Sequence, residues 1–145
     1  MNKIVLDLEF TDVYNPTYRK VCKNEIIQIG AVKLDENNII VDKFDSFVRP
    51  RYTKINKKVY RLTGISDSMV EEASIFDEVF TSFLDWIGED DYTIISWSEE
   101  DLKVIMELED KSSEIDREEN EKRFKKIERD FNFRIEHFVN LIEYT

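Results

Sequence analysis

Asp7 and Glu9 stand two residues apart inside the apolar stretch Ile4-Val5-Leu6-Asp7-Leu8-Glu9-Phe10. In an extended chain alternate side chains share a face, so the two carboxylates become neighbours. Two anions in a buried strand are costly unless something positive compensates them, and no cation interrupts the stretch. A divalent cation would do so. Hard ions such as Mg²⁺ prefer carboxylate oxygens, take one or two of them from the protein, and leave other positions for water and phosphate. A third acid, Asp101, follows the short apolar run at 92–97 and lies three residues after Ser98. If that run ends beside Asp7 and Glu9, the three carboxylates suffice for two metals about 3.5–4 Å apart, a device for phosphoryl transfer. Plainer readings compete. An Asp-x-Glu pair on an edge strand would simply face water, and Asp101 would serve equally as a first-turn acid at a helix N-terminus.

The elements that must position these acids are legible from periodicity. Residues 4–10 read as a central strand, and residues 25–34 and 39–48 as two more, joined by the turn formers Asp35-Glu36-Asn37-Asn38 in an antiparallel hairpin. Between the first two, the loop at 11–24 mixes Tyr14, Tyr18, Arg19, Lys20 and Lys23, aromatic and cationic groups suited to a flexible strand of nucleic acid. From Ser74, a candidate cap, Phe76, Val79, Phe80, Phe83, Leu84 and Ile87 recur at helical spacing. A strand at 92–97 and a helix from Ser98 to about residue 108 follow. The charge-rich stretch 110–123 reads as an exposed helix with favourable pairs four apart, such as Glu118 with Lys122, and residues 137–142 as a last short strand. Strands first, then alternation, predict an α/β layer fold with a mixed sheet.

Composition bounds the remainder. A chain of 145 residues with 41% hydrophobic residues, 3 Gly and 2 Pro is expected to form a single domain around one core. The lone Cys22 excludes an intrachain disulfide, and no apolar run approaches the roughly 20 residues of a membrane span, so the expectation is a soluble protein of the reducing cytoplasm. The net charge of −11 argues against a polyanionic partner, but it is unevenly spread. Residues 1–70 carry 12 basic and 9 acidic side chains, and residues 71–145 carry 9 and 23. Between positions 49 and 61 there are six cations, Arg49, Arg51, Lys54, Lys57, Lys58 and Arg61, and no acid. That run is either a phosphate-binding patch or an ordinary solvated surface, depending on its distance from the acids.

Several segments, in order, resemble one family. Ile4-Val5-Leu6-Asp7-Leu8-Glu9-Phe10-Thr11, Glu25-Ile26-Ile27-Gln28-Ile29-Gly30-Ala31-Val32, Phe47-Val48-Arg49-Pro50, Leu62-Thr63-Gly64-Ile65, Ser96-Trp97-Ser98-Glu99-Glu100-Asp101-Leu102 and Val139-Asn140-Leu141 are similar to the motifs of DEDD-type, DnaQ-like 3′–5′ exonucleases. The DEDDh subgroup, with its Eri-type and KapD-like members, is the nearest pattern. The resemblance implies a ribonuclease H-like mixed sheet with three opening antiparallel strands and flanking helices. It also implies two divalent cations, Mg²⁺ or Mn²⁺, and hydrolysis at the 3′ ends of RNA or DNA, single-stranded for preference. By motif, Asp7, Glu9 and Asp101 would be the metal ligands and catalytic acids. Phe10, Thr11, Leu62, Thr63, Gly64, Ile65 and Trp97 would meet the terminal nucleotide.

The family's third motif, a His followed five positions later by an Asp, supplies a general base and a fourth ligand. The only histidine, His137, has Ile142 at that spacing and precedes Val139-Asn140-Leu141, so it is expected to be structural or exposed. The expectation is therefore one exonuclease-like domain over 1–145, C-terminally incomplete, without the last helices, and weak or inactive alone. The alternative is a non-catalytic nucleic-acid-binding or protein-interaction remnant, with a homodimer or a completing second chain as partner.

Overall fold

The opening apolar stretch forms β1 (Asn2–Asp12), in the computed structural model that describes residues 2–89, 92–96 and 103–105. Antiparallel to it runs β2 (Asn24–Leu34), and antiparallel to β2 runs β3 (Ile40–Phe47). The hairpin between them closes as the turn residues require. Asp35 Oδ1 accepts from the Asn37 and Ile39 amides, and Asn38 takes the left-handed φ of 63° that asparagine tolerates. β4 (Tyr92–Ser96) lies parallel to β1 on its other side, giving the order β3-β2-β1-β4. The sheet is mixed, with β1 inside it.

The connection from β1 to β2, read from sequence as a loop, contains a short helix. Asn15 caps α1 (Pro16–Arg19) by accepting from the Thr17 amide, and Pro16 supplies a ready helical φ. Arg19 Nη1 then donates to the Val13 carbonyl at 3.0 Å, while the Val13 amide pairs with the Lys23 carbonyl at 2.9 Å. One of the loop's cations is thus spent on closing it.

One face of the sheet carries Ile4, Leu6 and Leu8 of β1 with Ile29 and Ala31 of β2 and Ile94 of β4. Against it packs α4 (Phe76–Ile87), which buries all six apolar residues of its helical stripe, each contributing roughly 1.5–3 kcal/mol. Ser74 does not cap α4. Its carbonyl accepts from the Arg49 amide and Ile75 bridges Arg49 in parallel, so the chain is still extended where the cap was expected, and Ile75 takes the N-cap place. Val104 and Ile105, within a helical stretch at 103–105, join the same core.

A smaller apolar cluster of Ile27, Ile55, Ile65 and Val70 seats two short helices, α2 (Lys57–Thr63) and α3 (Asp67–Val70). The rest of the helix expected from Ser98, the charged stretch 110–123, His137 and the strand expected at 137–142 lie outside the described residues. No described helix is long and apolar enough to cross a membrane.

Candidate active site

Strand alternation puts the side chains of Asp7, Glu9 and Thr11 on the face of β1 opposite the α4 core. Burial rises along that face: Asp7 is exposed, Glu9 half-buried and Thr11 fully buried. The gradient has a structural source. Thr11 lies under the segment leading into α2, where its hydroxyl oxygen accepts from the Asn56 amide at 2.9 Å. Between Glu9 and Phe10 the register slips, because Glu9 faces Gln28 but Phe10 faces Ile26. The extra residue, Ile27, enters the smaller cluster under α2 and α3. This bulge fastens the second layer onto the end of β1, next to the acids.

The electrostatics follow. Burial, and secondarily the adjacent Asp7 charge, hold the Glu9 carboxyl above its ordinary value. Among the described residues neither carboxylate has a hydrogen-bond or ion-pair partner. β1 as a whole is an inner strand, paired along its length by β2 and from Asn2 to Leu6 by β4, and the two acids lie just past the end of that parallel contact. What remains is a pair of hard oxygen donors that repel each other, a set that suits a divalent ion. No described group of three or more His, Cys, Asp or Glu forms a complete metal centre.

Asp101 and Trp97 lie outside the described residues. The strand that leads to them is in place: Ser96, the last residue of β4, pairs with Leu6, one position before Asp7. Of the expected nucleotide contacts, Phe10 is half-buried against the main core. Leu62 is 77% exposed at the last turn of α2. Gly64 caps that helix at φ 75°, the left-handed conformation that ends a helix at little cost only for glycine. Thr63 Oγ1 donates to the Val59 carbonyl and accepts from the Ile65 amide, and Ile65 is buried in the smaller cluster. Leu62 therefore projects outward from a turn that Thr63 and Ile65 secure, while Thr11 acts from beneath.

Glu25 is a feature that sequence reading passed over, although an acid opening an apolar run was the available signal. It is only 4% exposed, and its two carboxylate oxygens accept from the Arg51 and Tyr52 amides at 2.6 and 2.9 Å. Burial raises its pKa, with these hydrogen bonds opposing.

The family model described as RNase_T, Exonuclease, matches residues 4–114. Among curated relatives, the DNA polymerase III subunit epsilon of Aquifex aeolicus is 34% identical over 102 residues, which is 70% of this chain and 46% of that protein. The DNA polymerase III PolC-type of Caldanaerobacter subterraneus subsp. tengcongensis is 41% identical over 83 residues, 57% of this chain but 5% of its own length. This chain thus spans less than half of these curated relatives. Among solved structures, the nuclease domain of 3′hExo, a DEDDh family member bound to rAMP, superposes with a TM-score of 0.62 at 27% identity, over 73% of this chain and 56% of that one. Cell-death related nuclease 4 gives 0.55 at 27% identity, over 67% of this chain and 35% of that one. The mixed sheet with flanking helices is the ribonuclease H-like exonuclease fold, and the chain belongs to the RNase_T exonuclease family.

Proposed function

We propose that the chain is a metal-dependent 3′–5′ exonuclease domain, a single unit over 1–145 acting in the cytoplasm on the 3′ ends of RNA or DNA, single strands preferred. The observation that carries this reading is the Asp7–Glu9 pair, two carboxylates without described partners on one face of β1, just past the end of its parallel contact with β4. Asp7, Glu9 and Asp101 would hold two divalent cations, Mg²⁺ or Mn²⁺. In sequence Asp101 follows Ser96, the last residue of β4, by five positions, and Ser96 pairs with Leu6, which adjoins Asp7. When bound, such a metal pair activates water and neutralises charge on the leaving oxygen.

The protein's own groups do the positioning. Leu62 offers an apolar edge for the terminal base and sugar, and Gly64 lets the chain turn away behind it. Phe10 of β1 and Trp97 are the aromatic candidates, and Thr11, Thr63 and Ile65 keep that rim in place.

The one histidine lacks an acid five positions on, so this chain alone is assigned slow turnover, on the order of 10²–10⁴ below that of a site with a general base. The same observation favours a second reading, a binding remnant completed by a second copy or another chain.

Incubation with 3′-end-labelled single strands and Mn²⁺ or Mg²⁺, alongside Mn²⁺ titration by electron paramagnetic resonance, tests both. The first reading requires metal-dependent release of mononucleotides, lost in Asp7→Asn and Glu9→Gln, and Mn²⁺ affinity at least about tenfold weaker in each. Turnover indifferent to both substitutions overturns the site. Metal binding and oligonucleotide binding without any release establishes the second reading.

A further inference from the structure

All six cations of residues 49–61 lie in the connection from β3 to α2 or in α2 itself, and all six are exposed. Among the described residues none of them is held in an ion pair. The backbone beneath them is fixed by acceptors from three other elements: Glu25 of β2 takes the Arg51 and Tyr52 amides, Thr11 of β1 the Asn56 amide, and Asp67 of α3 the Ile55 amide at 2.8 Å. Asn56 then caps α2 by accepting from the Lys58 amide. These backbone donors are satisfied internally, so the charged side chains are what the segment presents outward.

Aromatic rings interleave with the charges. Tyr18 of α1 lies against Tyr52 with centroids 5.5 Å apart, and the Arg51 guanidinium sits 5.6 Å from the Tyr52 centroid. Tyr18 remains 45% exposed and the neighbouring Tyr14 61%. The layer is adjacent to the acids, because Thr53 Oγ1 reaches the Asp12 carbonyl at 3.4 Å and Asn56 meets Thr11, two residues past Glu9.

We propose that this surface is a single-strand nucleic-acid track: Arg49, Arg51 and Lys54 meet successive phosphates and Tyr18 stacks on a base, upstream of the nucleotide held at Asp7 and Glu9. The inference rests on the exonuclease reading and adds to it the path of the strand. Charge complementarity selects the occupant. In a chain of net charge −11, these 13 positions, with six cations and no acid, are where a phosphate backbone is admitted. Exposed rings select a single strand, whose base faces are open, over a duplex.

The test is fluorescence anisotropy with a labelled oligothymidylate of about 15 nucleotides, long enough to cross one such groove. It carries a 3′-phosphate and is measured in EDTA, so that neither metal nor a free 3′ hydroxyl contributes. Each phosphate contact adds about 0.7 to the salt slope for single strands, so Arg51→Ser/Lys54→Ser should flatten the slope by about 1.4 and weaken binding roughly 25-fold at 0.1 M salt. Lys3→Ser/Lys43→Ser, the same change in charge at the first and third strands, should change binding several-fold at most. Tyr18→Ala should weaken the oligonucleotide about tenfold while leaving heparin binding unchanged.

Equal losses from the two double substitutions, absence of binding by the unmodified chain, or no effect of Tyr18→Ala would each overturn the track. Failure here is separable from failure of the nuclease reading. Turnover lost in Asp7→Asn alongside indifference to Arg51→Ser/Lys54→Ser would remove the track and keep the active site, and the converse pattern would keep the track alone.

Discussion

Replacing Glu25 probes the link between the sheet and the basic segment. In Glu25→Ala the Arg51 and Tyr52 amides lose their acceptors in a place where the carboxylate itself is 4% exposed. An unsatisfied buried donor costs about 1–3 kcal/mol, so two of them set the penalty at about 2–4 kcal/mol once some water enters the space left behind. That is a large share of the 5–15 kcal/mol typical of a domain. Glu25→Gln keeps one acceptor oxygen and places an amide donor against the other N–H, for an expected loss of about 1–2 kcal/mol.

The pH dependence has a definite sign. Because burial raises the folded-state pKa above the ordinary 4.5, the folded chain binds the Glu25 proton more tightly than the unfolded one. Stability contributed by this group is fully present below pH 4.5 and is lost as pH rises through the raised value. Glu25→Gln has no such proton, so the stability of the native chain relative to Glu25→Gln should decline from acid pH upward and then level off. Urea unfolding followed by tryptophan fluorescence at several pH values measures both effects. A cost below about 0.5 kcal/mol for Glu25→Ala, or a difference from Glu25→Gln that is flat or rises with pH, refutes the reasoning.

The remaining expectations concern the acids and the turn at α2. Asp7→Asn should raise the melting temperature in EDTA, because it relieves repulsion on Glu9, and abolish the stabilisation that Mn²⁺ gives the native chain, as thermal melts with and without metal will show. Gly64→Ala should cost about 1–2 kcal/mol in urea unfolding through its φ of 75° alone, since an added Cβ meets no atom within 4 Å. Thr11→Val keeps the buried shape but strips the acceptor from the Asn56 amide, for a loss of about 1–2 kcal/mol and faster hydrogen exchange at Asn56.

Regular elements with strong periodicity were legible because their stability is local in pattern. The apolar stripe of α4 names its own buried face, and Asp35-Glu36-Asn37-Asn38 names its own turn. What escaped was held by contacts distant in the chain. α2 and α3 bury few of their own residues and depend on Ile27, supplied by a bulge that no alternation rule announces. Ser74 failed as a cap because Arg49, 25 positions earlier, keeps it extended. Glu25 looked like the polar end of a strand, and its function depends on amides 26 and 27 positions later. The Asp7–Glu9 pair was visible as a pair, but its place just past the parallel contact with β4, which ends at Leu6, was not.

That position also explains how one strand accommodates both packing and charge. Ile4, Leu6 and Leu8 face α4, whose aromatic residues continue into Phe44 of β3, so these three alternate positions are committed to the core. The odd positions carry no such obligation until Thr11, where the layer of α2 closes over the face. Glu9 sits at the boundary, near enough to that layer to be partly desolvated and near enough to Asp7 to feel its charge. A carboxylate in bulk water has little to gain from a cation, and one fully buried must find a fixed partner before the chain folds. At the boundary, on the proposed reading, a modest desolvation penalty is compatible with folding before metal binds and still favours a cation once one is offered. The bulge after Glu9 creates that boundary, because a regular ladder would direct Ile27 to the α4 side and leave α2 without its seat beside the acids.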